Sequence, residues 1–73
     1  MSLVSFGANF IKIFAEDYNV YLTFKCREDV IRDDRVIEEA KASAIAFVYE
    51  ENIDSLFDLY SKGWMLIEVE PGE

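Results

Sequence analysis

The clearest periodicity lies between residues 50 and 70. Asn52 has the short polar side chain that caps a helix by accepting a free N–H of the first turn. Ile53, Leu56, Phe57 and Tyr60 follow at the spacing of one helical face, and Asp54 and Asp58 point away from it. Gly63 supplies the left-handed residue that ends such a helix. After it Met65, Ile67 and Val69 alternate with Trp64, Leu66, Glu68 and Glu70, which predicts a strand with one buried face, stopped by Pro71.

Upstream, alternation has period two. Asn9 to Ala15 places Ile11, Ile13 and Ala15 on one side; Val20 to Cys26 places Val20, Leu22, Phe24 and Cys26 on one side. Between them Glu16-Asp17-Tyr18-Asn19 has turn chemistry, so the two segments form an antiparallel hairpin. Met1 to Gly7 is a short apolar lead-in that can serve as an edge strand. Asp33 or Asp34 can cap a helix beginning at Arg35, with Ile37, Ala40, Ala44, Phe47 and Glu51 on one stripe. The apolar run 44–49 fits a buried strand as well as a helix; four alanines at 40, 42, 44 and 46 favour helix. The expected fold is a single α+β domain over residues 1–73: an N-terminal antiparallel β-hairpin, a central helical segment, a C-terminal helix and a closing strand.

Composition changes this picture in two ways. The chain is 52% hydrophobic, with six Phe, four Tyr and one Trp in 73 residues. A domain so small cannot bury them all, so part of the apolar surface is expected to meet another chain, and a homodimer is the expected assembly. One cysteine, Cys26, excludes an internal disulfide, and the absence of His leaves no zinc-ligand set. Cys26 reads as a small buried hydrophobe.

Charge narrows the function. The net charge is −8. Residues 1–49 carry eight acids and six bases, whereas residues 50–73 carry seven acids and one base. Such a field repels phosphates and attracts basic surfaces, so no direct binding of nucleic acid is expected, and a basic protein is the expected partner. Glu50, Asp54 and Asp58 repeat every four residues, about 6 Å apart along a helix. Glu68 and Glu70 repeat every two, roughly 6.6 Å apart on a strand. Rows of carboxylates at these steps can imitate phosphates for an Arg/Lys groove. The candidate partner-binding residues are therefore Glu50, Glu51, Asp54, Asp58, Glu68 and Glu70, with Trp64 as an aromatic anchor beside them. Acidic pairs also serve as caps, turns and solvated helix faces, and Trp64 also suits the end of a core.

Catalysis finds little support and an enzyme ranks last among the readings: there is no histidine base, the paired carboxylates that could do acid–base work sit in no known motif, and no phosphate-cradling glycine loop exists, the glycines lying at 7, 63 and 72. Asp29, Asp33, Asp34 and Glu38 are the acids closest to a carboxylate metal site, but they lack the calcium-loop pattern, and no metal or cofactor is expected. No apolar run reaches membrane-spanning length and no signal peptide is visible, so a cytoplasmic location with no membrane contact is expected. The function expected is that of a non-enzymatic acidic protein occupying a basic, nucleic-acid-binding surface of a protein partner, as small phage-encoded inhibitors do. The alternative is a homo-oligomeric regulatory or scaffold module whose acidity serves solubility.

Overall fold

A computed structural model of the chain describes residues 3–6, 9–27 and 33–72. Its elements are β1 (Leu3–Phe6), β2 (Phe10–Ala15), a 3₁₀ turn (Glu16–Tyr18), β3 (Val20–Cys26), α1 (Asp34–Glu50), α2 (Ile53–Ser61) and β4 (Trp64–Pro71). The strands form one antiparallel sheet in the order β1-β2-β3-β4. The helices pack on one face of it, giving the α+β class read from the sequence. Gly7, at the end of the apolar lead-in, and Asp29 lie outside the described residues.

The β2–β3 hairpin follows the alternation. Ile11 opposes Phe24, Ile13 opposes Leu22 and Ala15 opposes Val20, so all six side chains share the face that the helices cover. The 3₁₀ turn closes on Asn19, whose φ of 51° is left-handed. Asn tolerates that region better than most side chains. The Asn19 amide donates to Glu16 O at 3.2 Å, and its carbonyl accepts from Gly72 N at 2.7 Å, which ties the end of β4 to the hairpin turn.

Asp33 caps α1, its carboxylate accepting from Val36 N at 2.9 Å. Residues 44–49 are helical, and α1 buries Ile37, Ala40 and Ala44 along one line. The two alanines let the helix axis approach the sheet closely, and Ile37 contributes about 1.5–3 kcal/mol by its burial. The helix ends without glycine: Glu51 takes a φ of 55°, and the Asn52 amide returns to Ala46 O at 3.2 Å. Glu51 is thus the stop of α1 and not a member of its stripe. Asn52 then caps α2, accepting from Asp54 N at 3.2 Å, and Gly63 follows the helix with a φ of 86°.

Two expectations about faces are corrected. Helix α2 does not turn its predicted face inward. Ile53, Phe57 and Tyr60 are 51%, 59% and 46% exposed, and the buried side chain is Leu59, with Ser55 and Leu56 partly covered beside it. A nine-residue helix set against α1 and β4 buries only a narrow line, and here that line is Leu56–Leu59. Strand β4 does not bury Met65 and Ile67 either. Phe24 opposes Leu66 while the preceding Thr23 opposes Glu68, so Ile67 is the extra residue of a β-bulge. The bulge moves the buried set from the even positions Trp64 and Leu66 to the odd position Val69. Met65 and Ile67 are left half exposed.

Candidate functional site

The acids of the last third fall into three places. Glu50, Glu51 and Asp54 gather at the α1–α2 junction, all exposed, and among the described residues none of them meets a cation at ion-pair distance. The expected regular row Glu50-Asp54-Asp58 does not form, because the chain breaks helix at Glu51 and Asn52. Asp58 lies further along α2 and turns toward α1. It pairs with Lys62 at 3.0 Å and accepts from Ser43 Oγ at 3.4 Å, while Lys62 also reaches Glu39 at 3.5 Å. The hydrogen bond with Asp58 raises the Lys62 ammonium above its ordinary range.

Trp64 belongs to the core. It is 1% exposed and meets Phe24 edge to face, with ring centroids 5.4 Å apart. Its Nε1 is buried with no acceptor among the described residues. The bulge at Ile67 also removes it from the face of Glu68 and Glu70, so it does not form an aromatic anchor beside those acids.

Glu68 and Glu70 stand on the open face of the sheet, opposite Thr23 and Tyr21. Lys12 pairs with Glu70 at 3.3 Å and lies 5.0 Å from the centre of the Tyr21 ring, which in turn meets Phe14 at 4.9 Å. A hydrogen bond shared between the two carboxylates raises Glu68 above its ordinary range; that bond and Lys12 lower Glu70. The raised group favours the fold while protonated, an effect lost as pH rises through its folded pKa. The lowered group favours the fold while ionised, an effect lost as pH falls through its folded pKa. We predict that Glu70→Gln brings the Glu68 titration down toward the ordinary carboxylate range, as read by carbon-detected NMR over pH 3–7. A Glu68 midpoint unmoved by that substitution would show that the two carboxylates do not share a proton.

Packing assembles a site that sequence spacing does not show. Residues Glu16 and Asp17 of the 3₁₀ turn line a cleft of about 560 Å³ together with Glu38, Lys41 and Glu50 of α1. Among the described residues four carboxylates and one ammonium line it, and Lys41 pairs with Glu38 at 2.7 Å. The rings of Tyr18 and Tyr49 stack at 4.4 Å with planes 21° apart, joining the turn to the end of α1. Glu16-Asp17 is visible in the sequence as an acidic pair, but its neighbourhood to Glu50 depends on a contact across more than thirty residues. Together with Glu51 and Asp54 at the adjoining junction, these groups make one acidic pole. Among the described residues no cluster of three metal-ligating side chains forms, and Asp29 lies outside them. No described helix is long and apolar enough to cross a membrane. Comparison with protein-family models, with curated proteins and with solved structures finds no match.

Proposed function

We propose that this chain is a non-enzymatic acidic binding protein whose acidic pole occupies a basic, nucleic-acid-binding surface of a protein partner and blocks it. The observation that supports this reading is the convergence of Glu16, Asp17, Glu38 and Glu50 on one cleft, opposed among the described residues by Lys41. A cleft lined mostly by one sign of charge concentrates its field and speeds the approach of an oppositely charged surface. The stacked Tyr18 and Tyr49 rings at its side suit a guanidinium better than an ammonium, because arginine packs on aromatic faces.

The test is capture of basic proteins from a lysate of the source organism on immobilised protein, followed by elution with duplex DNA. Retention should weaken as salt rises from 50 to 300 mM, since a Debye length near 8–10 Å screens the approach. Duplex DNA should release the captured protein. The triple substitution Glu16→Gln, Asp17→Asn, Glu50→Gln should slow association with that protein about tenfold and leave the fold unchanged. Capture that is indifferent to salt, to DNA and to the triple substitution refutes the reading.

A further inference from the structure

We propose that the α2 face is a self-complementary surface that pairs two copies of this chain about a two-fold axis, with one edge of the acidic pole at the end of the pairing face. Ile53, Phe57 and Tyr60 form a line of half-exposed side chains along α2. Tyr60, at the end of that line, also lines an apolar pocket of about 390 Å³ with Cys26, Gly63, Trp64 and Met65. A projecting ring, Phe57, and an apolar recess therefore lie within one helical turn of each other on the same face. A two-fold axis requires that if a residue of one copy meets a site on the other, the converse contact is made as well. Phe57 of each copy can then enter the recess of its mate with the two α2 helices antiparallel.

Charge favours a second copy over a foreign chain. The line begins among Glu50, Glu51 and Asp54 and ends at a recess bordered by Lys25 and Arg27. Among the described residues Lys25 makes no ion pair. An antiparallel pairing sets the acidic end of one copy against the basic end of the other, twice. A parallel pairing would set like charges together, so the pattern selects one orientation. The overall charge of −8 opposes association, and the two unlike contacts offset part of that repulsion.

The test is sedimentation equilibrium of the full chain from 1 to 200 μM, with circular dichroism as the check on folding. The unsubstituted chain should dimerise within this range. Phe57→Glu should raise the dissociation constant at least about tenfold while the spectrum is kept, because the side chain is solvated in the monomer. Asp54→Lys alone should weaken the dimer about threefold or more, and adding Lys25→Glu should restore it. A monomer throughout the range, a dimer untouched by Phe57→Glu, or a charge exchange without rescue each overturns the proposal. Phe57 and Lys25 lie outside the acidic pole and Asp54 belongs to it, but the partner-binding test substitutes Glu16, Asp17 and Glu50, so failure here leaves that reading intact.

Discussion

Trp64→Ala is expected to remove most of the stability of this domain. The side chain is almost wholly enclosed and stands edge-on to Phe24. Truncating a buried Trp or Phe to Ala costs about 3–5 kcal/mol. A chain of 73 residues has roughly 4–11 kcal/mol in total, at 0.05–0.15 kcal/mol per residue. At about 4–8 °C per kcal/mol, the thermal midpoint should fall by roughly 12–40 °C, or the transition should vanish at room temperature. Trp64→Phe should cost far less. It keeps an aromatic edge against Phe24 and removes the Nε1 donor that has no acceptor among the described residues. Thermal melts by circular dichroism distinguish the pair. A shift of only a few degrees in Trp64→Ala would mean that Trp64 is a surface group after all.

Deleting one residue should have opposite outcomes in two neighbouring strands. Without Tyr21, β3 loses its alternation at the centre of the sheet. Either Val20 and the 3₁₀ turn are pulled out of register, or Leu22, Phe24 and Cys26 turn away from the core. Both alternatives cost more than about 4 kcal/mol, and the chain should not fold. Without Ile67, the pairs Phe24–Leu66 and Thr23–Glu68 become consecutive and β4 becomes regular. Trp64, Leu66 and Val69 then share one face without any change of partner. That chain should fold with a midpoint within a few degrees of the parent. Amide dispersion in proton–nitrogen NMR reads both outcomes. A collapsed spectrum for the Ile67 deletion would show that the bulge is required for the fold.

What the sequence revealed was local. Alternation in 9–15 and 20–26 specified the hairpin and its inward residues, because each strand has one covered face. The caps Asp33 and Asn52 and the stop at Gly63 were legible because each satisfies backbone groups through its own chemistry. The end of α1 was not, since Glu51 turns left-handed with no glycine to announce it. The outward turn of Ile53, Phe57 and Tyr60 was not legible either. Periodicity locates a stripe on a helix but does not say whether it faces the chain's own core. The bulge at Ile67 escaped for a related reason: β4 alternates cleanly on paper, and only pairing with β3 reveals the extra residue. Among the candidate site residues, Glu50, Glu51 and Asp54 cluster as exposed acids. Trp64 is drawn into the core, Asp58 is paired, and Glu68 and Glu70 stand on the open sheet face. Glu16 and Asp17 join the first group only through tertiary packing.

The same bulge bears on the solubility of the molecule. Strand β4 is an edge, and an edge presents unpaired backbone groups that can template the addition of another strand. Half-exposed Met65 and Ile67 on that edge would make such growth favourable. A two-against-one kink at Ile67, acids at Glu68 and Glu70, and a proline at its last position interrupt the flat, uncharged ribbon that fibril growth needs. The irregularity that costs β4 its simple alternation thus also keeps a strongly apolar small domain from adding copies of itself strand by strand.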